Sequence, residues 1–177
     1  AFVRMYQRKP KFLQIHDPRK IGELFALSLS DFLPGAPIQT VSTGTPMLMV
    51  PLANLAALRK LQMQIPDYLA YRESSDFFSP HFFCLEGATV LGNTFARHLG
   101  VSPDTAEDSF TGSATGCMGA YLWKNGLMQE KYFFAEPGHW MNRPGIARVD
   151  AIGEFLDLES VAVSGTAHTV VEGVLTL

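Results

Sequence analysis

The stretch Ala106–Gly116, AEDSFTGSATG, concentrates groups able to do chemistry on an acid. Glu107 and Asp108 are adjacent carboxylates, Thr111 and Ser113 carry hydroxyls, and Gly112, Ala114 and Gly116 leave the backbone open to close approach. A helix starting near Ser113 would leave the N–H groups around Gly112 and Ser113 without intrahelical acceptors, at the positive end of the helix dipole, which suits a carboxylate or phosphate. Glu107 or Asp108 could then transfer a proton beside the bound acid group. The residue types taken alone favour a plainer explanation: Asp108 caps the helix, Glu107 is solvated and the glycines only permit tight packing.

Other reactive side chains invite less. His81, His98, His139 and His168 are scattered, with no HxxxH or HExxH spacing, and each reads as a structural histidine. Cys117 lies one helical turn beyond Ser113 and reads as a buried helix residue rather than a reactive thiol, while Cys84 completes no CxxC pair or disulfide framework. Thr43 and Gly44, in Thr43-Gly44-Thr45-Pro46, either offer backbone donors to a cleft or form a tight turn between strands; the two readings stand level.

The elements that must position these residues follow from periodicity and punctuation. Asp17-Pro18 predicts an N-cap and first helical position, Asn54 caps a helix through about Gln62, and Pro66-Asp67 opens a third. Strands are expected at Ile38–Ser42, Met47–Leu52, around Pro80 among Phe77, Phe78, Phe82 and Phe83, and at Tyr132–Ala135, Ala147–Val149, Val161–Ser164 and Thr169–Leu175. Ala88–Leu99 is expected to be extended, and Val101–Phe110 turn-rich. The helix after Phe110 runs to Asn125-Gly126, with Tyr121 and Trp123 in the core. The pattern predicts an α+β fold of mostly antiparallel strands, a single domain over residues 1–177. The chain begins with Ala and enters an aromatic, basic stretch without a leading strand–turn unit, as a cut chain would.

Composition narrows the classes of partner. A net charge of −3, with 14 scattered Lys and Arg residues, provides no basic field for nucleic acid. The longest apolar runs, such as Met47–Leu52, are too short to span a bilayer, and no secretory signal is visible, so a cytoplasmic setting is expected. A metal site built from protein ligands is not expected either.

Four segments, in order, carry a resemblance. EDSFTGSATG resembles the EDP-x-TGSA signature of the PhzF-like (phenazine biosynthesis-like) family. Val41–Pro46 resembles its STG-x-P loop, Asn142-Arg143-Pro144-Gly145 its G-R-P-S turn, and Val163–Leu177 its closing V-x-G-x-A hairpin and G-x-L-x-L strand. The resemblance implies a fold similar to diaminopimelate epimerase, two lobes each with a curled sheet around a central helix, of which this chain would be the C-terminal one. The central helix would begin near Ser113, and residues 166–177 would close the lobe toward an N-terminal partner lobe.

The function so implied is a cofactor-independent isomerase that moves a proton on a small carboxylate-bearing metabolite. Asp108 matches the motif's aspartate, and Gly112 and Ser113, with Thr111, its carboxylate-binding residues; Thr43 and Gly44 would add contacts. The family's main acid/base glutamate comes from the other lobe and has no counterpart here, so the alternative is a non-catalytic module binding anionic metabolites. A bare half would expose an apolar face and depend on the N-terminal lobe or on a homodimer to cover it. Two departures stand out: Ser109 replaces the motif's proline, which is expected to loosen the loop, and Asn93–Arg97 lacks the arginine and proline of R-x-F-A-P at their usual places.

Overall fold

The computed structural model describes residues 1–100, 106–154 and 157–174. Its strands divide into two sheets. One has four strands in the order β1 (Phe2–Tyr6), β10 (Asp157–Thr166), β9 (Ala147–Glu154) and β8 (Tyr132–Ala135). The other has six, ordered β2 (Lys11–His16), β3 (Ile38–Ser42), β4 (Pro46–Pro51), β5 (Ser79–Cys84), β6 (Phe95–Leu99) and β7 (Glu107–Asp108). Among the described residues, the named strands all pair antiparallel except β4 with β5, whose parallel register requires a crossover connection. Helices α2 (Leu55–Lys60) and α3 (Ile65–Glu73) supply it. The architecture is α+β.

The central helix α4 (Gly112–Lys124) packs between β9 and β10 of one sheet and β3 and β4 of the other. Ala114 to Trp123 are all buried, which explains why its apolar residues encircle it rather than forming a stripe. The six-stranded sheet is covered on both faces. Val41, Met47, Met49 and Phe83 point toward α4, whereas Leu48, Val50 and Phe82 point toward α1 (Pro18–Phe25), α2 and α3. Strands buried on both faces read as continuous apolar runs, as β4 and β5 do.

Capping chemistry works locally as the sequence implies. Asp17 accepts a hydrogen bond from the Arg19 N–H at 2.8 Å, and Asn54 from the Ala57 N–H at 2.9 Å.

Three expectations are corrected. The N-terminal stretch is not strandless: β1 pairs with β10, and after Gln7–Pro10 the chain crosses to the other sheet as β2. Within Ala88–Leu99 only β6 is a strand, because the buried Glu136 carboxylate accepts from the Thr89 N–H (2.8 Å) and hydroxyl (2.6 Å) and folds the preceding segment into a turn. Residues 169–174 form no strand. The last link there joins Ala167 to Ala1, and Val170, Val171 and Val174 beyond it are exposed. The expected strand's end, in residues 175–177, lies outside the described residues, as do residues 101–105 of the turn-rich segment.

Candidate functional site

Adjacent residues of a strand face opposite sides, and β7 uses this to divide its two carboxylates. Glu107 meets Arg97 in a two-pronged ion pair, Nε to Oε1 at 2.9 Å and Nη2 to Oε2 at 2.7 Å, while Arg97 Nη1 donates to the Leu58 carbonyl at 2.9 Å. Glu107 is thus committed to structure rather than solvated. Asp108 instead reaches a cleft of about 620 Å³ whose wall includes Thr45, His98, Thr111 and Ser113.

The Asp108 carboxylate is held from its own loop. Thr111 Oγ1 donates to Oδ2 at 2.5 Å and the Phe110 N–H to Oδ1 at 3.2 Å. With Ser109 buried behind them, these bonds aim the carboxylate without the motif's proline. The first three helical N–H groups of α4 find no acceptor among the described residues; the first bonded one is Thr115, to the Thr111 carbonyl. Gly145 packs so tightly on the Phe110 ring that a Cβ there would lie 2.6 Å from it, so the Asn142–Gly145 turn backs the acidic loop.

Thr43, Gly44 and Gly112 do not line that cleft. Gly112 borders a different hollow, with Val3, Met5 and Phe110. Thr43 is buried and donates to Gln7 Oε1, leaving the Cys117 thiol to donate to Thr43 Oγ1 at 3.2 Å. The other end of Gln7, Nε2, donates to the Gly112 carbonyl at 2.9 Å. Gln7 therefore ties the Thr43 loop to the first turn of α4, a role with no local sequence signal. Burial raises the pKa of both thiols, Cys84 to about 11, so neither is a ready nucleophile.

His98 is not alone. Its Nε2 lies 2.9 Å from Ser79 Oγ and its Nδ1 3.3 Å from His81 Nδ1. His81 Nε2 is buried and has no partner among the described residues. Putting the His81 proton on Nδ1 leaves Nε2 a bare acceptor rather than an orphaned donor; His98 then donates to Ser79, and Ser79 to Met47 Sδ at 3.3 Å. Burial lowers both imidazole pKa values, that of His98 to about 4 against a small upward pull from Asp108. A neutral polar chain thus runs from the cleft wall into the core.

Two sheets around a buried helix, with an aimed carboxylate and free amides at its start, define an α+β protein with a built polar cleft. The chain belongs to the phenazine biosynthesis-like (PhzC-PhzF) family, which matches residues 3–173. It is 29% identical to the uncharacterized isomerase YfhB of Bacillus subtilis, covering 93% of this chain and 57% of that protein. An uncharacterized isomerase of Clostridium acetobutylicum is 30% identical, covering 98% of this chain and 60% of its own length. The chain therefore spans less than two thirds of the curated relatives it matches. A crystal structure of a Bacillus anthracis phenazine biosynthesis protein of the PhzF family superposes with a TM-score of 0.80 at 24% identity, over 93% of this chain and 57% of that one. A predicted epimerase from Pseudomonas aeruginosa gives 0.73 at 26%, over 93% and 55%. Among the described residues, no helix is long and apolar enough to cross a membrane.

Proposed function

We propose that residues 1–177 are one domain, the C-terminal lobe of a two-lobed isomerase with a diaminopimelate epimerase-like fold, acting without a cofactor on a small carboxylate-bearing metabolite. The observation that carries this is the meeting of Asp108, Thr111 and Ser113 on one cleft wall at the start of the buried α4. The naming of relatives as isomerases supports the reaction class. Free amides and the Ser113 hydroxyl at the helix start would hold the carboxylate and stabilise charge that develops when the neighbouring carbon loses its proton. Asp108, fixed by Thr111 and Phe110, would orient or protonate the substrate. Thr43 and Gly44 would contribute through the loop that Gln7 fastens to Gly112.

The apolar side chains of Val3, Met5 and Ile146, exposed beside the first turn of α4, support a second lobe or a second copy covering this face. In the complete enzyme, Asp108→Ala is expected to abolish exchange of solvent deuterium into substrate. Undiminished exchange overturns the role of Asp108.

One observation favours the alternative of a binding module: Arg97 holds Glu107, leaving Asp108 the one carboxylate on the cleft wall among the described residues. Native mass spectrometry separates the two readings, since a first lobe in the same particle argues for the enzyme.

A further inference from the structure

Helix α3 contributes to the same cleft. Tyr68 and Arg72 are four residues apart, hence on one face of the helix, and both line the cleft that Asp108, Thr111 and Ser113 border. Among the described residues that line the cleft, Arg72 and Asp108 are the formally charged ones. Arg72 forms no ion pair among the described residues; its guanidinium carbon lies 5.0 Å from the centre of the Phe78 ring, which anchors it without neutralising it. Tyr68 is 1% exposed, with its ring edge-on to Phe25 at 5.6 Å. Tyr68 lines the cleft, and its hydroxyl forms no hydrogen bond with the described residues. Burial raises its pKa, so the hydroxyl remains a donor near neutrality. An unpaired planar cation and an unpaired hydroxyl donor on one cleft wall ask for an anionic acceptor.

We propose that Tyr68 and Arg72 form a second anion subsite, so that the cleft selects small acids bearing another negatively charged group besides the carboxylate held at α4. This rests on the reading of the cleft as the substrate site. Arg72 presents a fork that can take an anion in two parallel bonds, with Tyr68 adding a third, while the neighbourhood of Asp108 repels the same group. The second anionic group is thereby directed to the α3 side.

The test is isothermal titration of the complete protein with malonate, succinate, glutarate and adipate, each against the monocarboxylate of equal carbon count. The best-fitting dicarboxylate should bind at least about tenfold tighter than its monocarboxylate. Arg72→Gln should remove that preference and leave monocarboxylate affinity within about twofold, Arg72→Lys should keep part of it, and Tyr68→Phe should weaken only the dicarboxylate. A preference that survives in Arg72→Gln, or its absence from the wild type, overturns the subsite. Failure of every acid to bind the wild type overturns the carboxylate-holding role of α4 as well. Undiminished deuterium exchange in Asp108→Ala sinks the isomerase role while leaving the charge preference measurable.

Discussion

Asp108 stands directly across the β6–β7 ladder from His98, the histidine that joins the cleft to the core. Burial depresses the pKa of His98 from 6.5 to about 4, and burial with the neighbouring His98 holds that of His81 well below the ordinary histidine value, so the folded protein binds fewer protons here than the unfolded chain. The resulting stability is complete above pH 6.5 and lost as pH falls toward 4, up to about 3 kcal/mol from His98. Thermal melts between these pH values should decline with acidification, and His98→Gln should flatten the decline. An unchanged slope in the variant would contradict the assignment.

Replacing Arg97 by Ala leaves Glu107 without its partner and the Leu58 carbonyl without a donor. A loss of about 2 kcal/mol is expected, measurable by urea denaturation. Arg97→Lys should recover little, since one ammonium cannot reproduce both prongs and the third bond.

Gly119→Ala pits helix propensity against packing. Alanine gains about 1 kcal/mol in a helix interior. Its Cβ, however, would lie 2.6 Å from Val149 Cγ1 and 3.2 Å from Val161 Cγ1, on β-branched side chains that cannot swing aside. Overpacking costs about 1–3 kcal/mol, so the variant should melt at a lower temperature than the wild type.

Gln7→Ala cuts the bridge from Thr43 to Gly112. Because both ends are hydrogen bonds in a part-buried setting, about 1–2 kcal/mol should be lost. Affinity for a carboxylate should fall more than the thermal midpoint suggests, as the first turn of α4 loses its tether. An affinity equal to wild type would remove Gln7 from the site's support.

Where signals are local, the sequence was readable. Asp17-Pro18, Asn54 and the small-residue start of α4 carry their capping and packing chemistry within a few residues, and those helices form as expected. Partnerships between distant residues were not readable. Phe2–Tyr6 becomes a strand by pairing with β10, at the far end of the chain, and Thr89 is drawn into a turn by Glu136. At the site, Asp108, Thr111 and Ser113 share one motif and reach one cleft, but Arg72, Tyr68 and Ser79 arrive there through a parallel strand pairing that no short pattern encodes. His98 looked solitary because its partners, His81 and Ser79, lie on the neighbouring strand.

The β4–β5 crossover has a consequence for how selectivity could diversify. Its ends are clamped by two buried strands, while α3 between them carries Tyr68 and Arg72. Such a segment behaves as a cassette: transplanting residues 52–78 between relatives should exchange ligand preference and leave the acidic loop and its helix untouched. Natural variation in what these proteins accept would then accumulate in that insert, separately from the acidic loop and the start of α4.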